Sequence, residues 1–370
     1  MAEIVKIALT GGPCGGKTTA LDFIKSQLEQ YGVEVFCVFE QATALMNSGI
    51  TPQSAGSYEF HRKLFENQLS EEQKAEEMAQ EVSSAKKALI LCDRGLLDSR
   101  AYVTKEDFDG YSSLYGFSEE SLRNRYDAVF HLVTAADGAE SCYSNSNNII
   151  RSEDAFAARQ LDNDILALWV GTQHLRIIDN STDFDGKLTR LLEETLAVLG
   201  IPKPLEIERK FLIGFPDLDL LNSLKFCRRV PITQAYMDTP EEGLFRVRRR
   251  GEGKGTLYIK TVKNKINDMK RVETETIISE KEYNEYLSRK ECIHGIISKD
   301  RYCIAWNGAY YELDAYPFWI DRATLEIELL SEDQPYKLPD FINLIREVTT
   351  EKQYRNKTLA ITYAKFFNRG

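Results

Sequence analysis

Apolar residues in the first 200 positions fall into two kinds of run. Short continuous stretches at residues 4–9, 33–39, 88–92, 128–133 and 175–178 carry almost no polar face. Strands covered on both sides of a parallel sheet read this way. Between them lie segments with helical spacing: Ala20, Leu21, Ile24 and Leu28, a stretch reaching Trp169, and Leu188, Leu191, Leu192, Leu196 and Leu199. Ser70 and Gln73 form a capping-box pattern that predicts a helix opening there and running through Met78 to about Ala85. Strands alternating with helices predict an α/β unit built on a parallel sheet.

The remaining 170 or so residues follow a different rule, with a period of two. Glu206, Glu208 and Lys210 alternate with Ile207 and Phe211; Arg246, Arg248 and Arg250 alternate with Phe245 and Val247; Glu326 and Glu328 alternate with Leu325 and Ile327. The pattern recurs at Lys260 after Ile259, at Glu273 and Glu275, at Lys299 and Arg301, and at Glu312 and Asp314. A strand sends every second side chain to one face, so each segment gathers its charges on one side. For a single strand an open sheet with one wet face gives the same alternation. Seven successive strands mixing acids with bases predict a closed barrel with a charged lumen. Enclosed charge is costly unless it is balanced, and a metal-bound polyphosphate supplies counter-charge of both signs.

After the first apolar run comes Gly11-Gly12-Pro13-Cys14-Gly15-Gly16-Lys17-Thr18-Thr19, which satisfies GxxxxGK[ST] between a strand and a helix. Gly11, Gly12, Gly15 and Gly16 let backbone N–H groups turn around phosphate oxygens. Lys17 is expected to reach the β- and γ-phosphates of ATP or GTP, Thr18 to ligate Mg²⁺, and Thr19 to line the site. Asp93 ends the third strand, where an acid can hold Mg²⁺ directly or through water, and Arg94 follows it. Glu40, after the second strand, either binds or deprotonates a phosphate acceptor or is a surface carboxylate. Arg151 and Arg159 either belong to a lid over the transferred phosphate or sit on a solvated helix.

Glu206-Ile207-Glu208-Arg209-Lys210 is the ExExK signature of the CYTH, or triphosphate tunnel, proteins, and residues 204–370 resemble that family. The resemblance implies an antiparallel eight-stranded tunnel. It also implies Mg²⁺ (or Mn²⁺) held by Glu206, Glu208, Glu326 and Glu328, and a basic wall of Lys210, Arg246, Arg248, Lys260, Lys299 and Arg301 that grips a triphosphate. Glu347-Val348-Thr349 resembles the family's closing motif, although Thr350 stands where a glycine is common. The first half resembles the AAA-like P-loop group that includes ribosylnicotinamide-kinase-type domains. Joined in this order, the two resemble the translocation-defect proteins and their bacterial relatives. That lineage implies either triphosphate hydrolysis, with Glu206, Glu208 and Lys210 catalytic and Glu40, Asp93 and Arg94 serving the P-loop, or a nucleotide switch whose tunnel captures an anionic lipid such as phosphatidic acid.

Composition narrows the partners. A chain of 370 residues with 43% hydrophobic and 28% charged residues suits two globular domains, expected at 1–200 and 204–370, with Gly200, Pro202 and Pro204 marking the join. A formal net charge of −10 argues against an extended nucleic-acid surface. Seven scattered cysteines without a CxxC pair read as free thiols in a reducing compartment, and four histidines show no metal spacing. No stretch has the apolar length of a transmembrane helix, and Met1-Ala2-Glu3 leads straight into a strand. A cytoplasmic protein is the expectation.

Overall fold

The computed structural model describes residues 3–82, 87–140, 155–201, 205–240, 243–265, 270–289 and 293–364. Side chains at 205–206, 263–265 and 270–274 are outside that description. The chain divides into two compact units, Met1–Leu199 and Gly200–Gly370.

In the first unit the five apolar runs form a wholly parallel sheet of β1 (Glu3–Thr10), β2 (Val33–Val38), β3 (Lys87–Asp93), β4 (Ala128–Leu132) and β5 (Leu175–Ile178). Their order is β2-β3-β1-β4-β5, so β1 lies between the two directions of winding. The crevice beyond the carboxyl end of such a strand is where open α/β sheets take ligands. Ile7, Ala8 and Leu9 in β1 and residues 88–92 in β3 are fully buried, which accounts for the unbroken apolar runs. Helices α1 (Lys17–Leu28), α2 (Ser57–Gln80), α3 (Ala155–Trp169) and α4 (Phe184–Val198) follow in chain order. Ser70 does not open a helix; it lies inside the 24-residue α2, whose N-cap is Gly56. Buried positions from Phe60 through Phe65, Leu69 and Glu72 to Ala79 carry the helix across the capping-box pattern. Tertiary burial here outweighs a local cap.

The second unit is antiparallel. Strands β6 (Leu205–Gly214), β7 (Cys227–Thr239), β8 (Gly243–Arg250), β9 (Leu257–Lys265), β10 (Lys270–Ile278), β11 (Ile293–Trp306), β12 (Ala309–Ala315), β13 (Arg322–Leu329) and β14 (Leu344–Glu347) run in the order β10-β9-β8-β7-β11-β12-β13-β6-β14. A further pairing of β10 with residues 205–207 of β6 closes eight of them into a ring. Short β14 pairs along residues 211–213 of β6 as a ninth strand.

The ring has an apolar outside and a charged inside. Ile207, Phe211, Leu313, Leu325 and Ile327 share one buried outer cluster. Ala235, Met237, Phe245 and Val247 share another, packed with Tyr283 of α5 (Glu280–Ser288). Residues directly opposite in an antiparallel pair point the same way, so the pairs Lys210–Glu326, Glu208–Glu328, Glu312–Glu326 and Asp314–Arg301 carry the other face inward. At one end that inner face turns apolar: Leu212, Ile297 and Tyr316 cluster with Trp319 and with Leu359 and Ala360 of α6 (Asn356–Thr362).

Candidate functional site

The loop between β1 and α1 is shaped by close backbone approach. A Cβ at Gly11 would stand 2.3 Å from the Leu132 carbonyl oxygen, and one at Gly15 would stand 2.7 Å from it. Gly11 and Gly16 also have φ of 128° and 85°, which favours glycine at both. Gly12 comes so close to Asp162 that an added Cβ would lie 2.9 Å from its Cβ. Lys17 is buried and folds back on the loop, its Nζ donating to the carbonyls of Gly12 (2.7 Å) and Gly11 (3.0 Å). Thr18 and Thr19 are exposed on the first turn of α1.

Asp93 meets Thr18 across this loop. The Thr18 hydroxyl donates to Asp93 Oδ2 at 2.9 Å, while Asp93 Oδ1 is buried without a hydrogen-bond partner. Burial raises the Asp93 pKa, against the pull of Lys17 and Arg94. An orphaned carboxylate oxygen beside a hydroxyl fits a hard cation such as Mg²⁺, which takes one or two protein oxygens and completes its shell with phosphate and water. Arg94 Nε donates to Glu40 Oε1 at 3.0 Å and Nη1 to Asp98 Oδ2 at 3.3 Å, so the structure brings Glu40, Arg94 and Asp93 together beside the P-loop. Arg159 donates to the Ala136 carbonyl at 2.7 Å, and Arg151 lies outside the described residues.

Two acids of this site were not singled out from the sequence. Asp98 Oδ1 accepts from Thr10 Oγ1 (2.6 Å) and Trp169 Nε1 (2.7 Å). Asp162 accepts from the Gly12 N–H at 2.6 Å and pairs with His131 Nε2 at 3.1 Å. Burial works against the Asp162 carboxylate, yet His131 and the Gly12 N–H outweigh it and its pKa is lowered. The signal was present in α3, where Ala158, Asp162, Ile165 and Trp169 form the buried stripe. An acid on an apolar stripe needs a partner.

Inside the ring, Asp314 is fully buried and forms the centre of a charge network. It receives Arg301 through two bonds, Nε–Oδ1 at 2.7 Å and Nη2–Oδ2 at 2.8 Å, and it also pairs with Lys299. Arg301 reaches Glu326 at 3.0 Å and also pairs with Glu312. Lys210 lies 2.7 Å from Glu326, and Arg246 and Arg248 share Glu275 at 3.3 and 3.2 Å. Desolvation works against the Lys210 ammonium, but Glu326 and Glu208 prevail and its pKa is raised. For Lys299, burial and the repulsion of Arg301 outweigh Asp314 and Glu326, and its pKa is lowered to about 8. Arg248 is lowered to about 10, chiefly by burial, despite Glu275. Burial opposes ionisation of Glu326 too, yet the cations around it hold its pKa well below the ordinary carboxylate value.

Lys260, expected in the basic wall, does not face the lumen. It stands directly opposite Val247, which places it on the outer face, where its Nζ lies 4.6 Å from the Phe245 ring centroid and 3.2 Å from Tyr286 Oη. Its neighbours Ile259 and Thr261 hold the inward phase of β9, opposite Arg248 and Arg246. Of the expected metal carboxylates, Glu326 is engaged with Lys210 and Arg301, Glu208 is half-buried and Glu328 is exposed. The Glu206 backbone pairs with Arg271, and its side chain, like that of Glu273, lies outside the described residues. So does most of the basic hairpin between Lys263 and Lys270. Among the described residues no group of three or more His, Cys, Asp or Glu side chains is arranged to hold a metal ion. Even so, Glu208 directly facing Glu328 sets like charges across one strand pair, an arrangement that a hard cation with oxygen ligands relieves.

The family model for the AAA domain matches residues 6–187, and the one for the CYTH domain matches residues 204–363. An inorganic triphosphatase from Nitrosomonas europaea is 33% identical over 163 residues, which cover 42% of this chain and 97% of that protein. The chain belongs to the CYTH family. Its CYTH unit is the closed antiparallel ring, and its AAA unit is the parallel sheet carrying the P-loop. Among solved structures, a crystal structure of an inorganic triphosphatase is 30% identical, covering 42% of this chain and 94% of that one, with a TM-score of 0.29. A conserved hypothetical protein from Pyrococcus furiosus is 24% identical, covering 33% and 78%, with a TM-score of 0.26. No helix among the described residues is long and apolar enough to cross a membrane. None of the five described cysteines forms a disulfide; Cys142 and Cys292 lie outside the described residues.

Proposed function

We propose that the CYTH unit binds an inorganic or organic triphosphate inside the ring and hydrolyses its phosphoanhydride bond, and that the AAA unit binds ATP or GTP with Mg²⁺ at the P-loop and transfers or hydrolyses the γ-phosphate. The observation that carries this is the convergence of Lys210, Lys299 and Arg301, all buried, on the inward carboxylates Asp314 and Glu326. Fixed cations in a water-poor space bind a polyanion strongly and stabilise charge that grows in the transition state. Lys210 and Arg301 are held in place by Glu326 and Asp314, so they meet the phosphates without reorganising. Arg246 and Arg248, sharing Glu275, supply further positive charge across the ring. Mg²⁺ or Mn²⁺ held by Glu206, Glu208, Glu326 and Glu328 would polarise the phosphoryl group and lower the pKa of an attacking water.

At the P-loop, Lys17 would leave the carbonyls of Gly11 and Gly12 for the phosphates, Thr18 and Asp93 would hold the cation, and Arg94 would stabilise developing charge. Glu40, tied to Arg94, would bind or deprotonate a hydroxyl acceptor. A cytoplasmic setting suits the cysteines, none of which is bridged among those described. The test is phosphate release from tripolyphosphate and from nucleotide with Mg²⁺ or Mn²⁺. Glu206→Ala should abolish turnover of tripolyphosphate and Lys17→Ala should spare it, with nucleotide turnover at the P-loop lost only in Lys17→Ala. An intact protein inactive on every triphosphate, yet tightly bound to phosphatidic-acid vesicles, would overturn the proposal in favour of a lipid-binding switch.

A further inference from the structure

Arg94 combines two features that rarely coincide. It is a buried arginine, 9% exposed, and its backbone is left-handed with φ of 79°. Arginine does not favour that region, so the surrounding structure must impose it. The side chain so placed connects Glu40 and Asp98 and comes within 3.5 Å of the Gly11 carbonyl in the P-loop.

The imposition comes from beneath. Arg94 N donates to the Leu9 carbonyl at 2.9 Å, and the Arg94 carbonyl accepts from Gln68 Nε2 at 3.1 Å. Two residues on, Leu96 N donates to Tyr126 Oη at 2.9 Å, and that hydroxyl donates its own proton to Glu72 Oε1 at 2.7 Å. Gln68 Nε2 also reaches Glu72 Oε1, at 3.3 Å. Glu72 is fully buried and is fixed by Arg125 Nε at 2.7 Å and by Lys6 at 3.6 Å. Gly95 between them cannot slide, because its Cα lies so near Trp169 that a Cβ would stand 2.5 Å from the ring. Burial keeps Tyr126 in its hydroxyl form, as the single-proton relay from Leu96 N to Glu72 requires.

We infer that Gln68 and Tyr126, seated on Glu72, are positioning residues of the P-loop site: they hold residues 94–96 so that the Arg94 guanidinium faces the P-loop beside Asp93. This rests on the reading that the AAA unit turns over a nucleoside triphosphate. Neither residue reaches the P-loop by any bond described above, and each acts through Arg94. Without them the peptide relaxes by rotation at Arg94, and the guanidinium leaves Glu40 and Asp98.

The experiment uses the full chain with Tyr126→Phe and Gln68→Met, which keep side-chain size and remove the hydrogen bonds. Nucleotide kcat should fall on the order of 10- to 100-fold, as misplacement by about an ångström does, while nucleotide Kd and tripolyphosphate turnover stay near wild type. In an Arg94→Ala background Tyr126→Phe should cause no further loss, whereas a merely structural role would lower activity again by the same factor. Crystal structures of Tyr126→Phe should show Arg94 with negative φ and separated from Glu40. An unchanged Arg94 in that structure, or a wild-type kcat, would overturn the inference. Equal nucleotide turnover in wild type and Lys17→Ala would overturn the P-loop reading instead, and the Arg94 conformation would still decide the inference.

Discussion

Replacing Asp314 by Asn changes almost no volume and removes one charge from the middle of the ring. Asp314 is fully buried, and it faces Lys299 and Arg301, which are 4% and 6% exposed. Breaking a buried ion pair by deleting one partner costs about 3–5 kcal/mol, because the other charge is left without compensation. Arg301 keeps Glu326 and Glu312, and Lys299 keeps the Asn356 Oδ1 at 3.4 Å, so the lower end applies. About 3 kcal/mol corresponds to roughly a hundredfold shift toward the unfolded CYTH unit. Hydrogen exchange of the β6, β11 and β12 amides, read in the full chain, isolates this unit from the other. Tripolyphosphate should stabilise Asp314→Asn more than wild type, since the ligand restores negative charge beside Lys299 and Arg301. Protection within about 0.5 kcal/mol of wild type, the usual scatter of a neutral surface change, would refute the claim that Asp314 balances this network.

Lys299 should give tripolyphosphate binding a pH dependence: with its pKa lowered to about 8, the free ammonium loses its proton above that pH, and binding must take one up, so affinity falls by up to about tenfold per unit. Titration calorimetry from pH 7 to 9.5 should show this in wild type and a flatter profile in Lys299→Arg. The same shift has an opposite sign for stability without ligand, because between pH 8 and 10.5 the unfolded chain binds more protons at this position than the folded one, and its contribution to stability therefore rises with pH. Lys260→Met should leave tripolyphosphate kcat and KM within about twofold of wild type, as expected of a residue on the outer face of the ring. Gly15→Ala puts a Cβ 2.7 Å from the Leu132 carbonyl oxygen, so nucleotide binding should weaken at least about tenfold by equilibrium dialysis while turnover in the ring persists.

Local chemistry carried most of the fold into the sequence. Parallel strands buried on both faces left continuous apolar runs, and the P-loop, whose glycines are fixed by contacts such as Gly11 against Leu132, left a linear motif. Period-two charge marked the inward face of six of the seven strands because an antiparallel ring separates its two environments so sharply. Phase was the weak point. In β9 Lys260 stands between Ile259 and Thr261, and its pairing with Val247 turns it outward. The Ser70 pattern failed for a related reason: a cap is a local preference, and the buried face of α2 extends beyond it on both sides. Asp162 and the Glu72–Tyr126 support were hidden because their partners, Gly12 and Leu96, are 150 and 30 positions away. Such contacts exist only once the chain has folded.

Crystals of the full chain soaked with tripolyphosphate and Mn²⁺ would test the lumen most directly. Anomalous density for the cation beside Glu208 and Glu328, with phosphate oxygens among Lys210, Arg248, Lys299 and Arg301, is the expected result. An empty ring, with the anion held only at the outer surface, would contradict it.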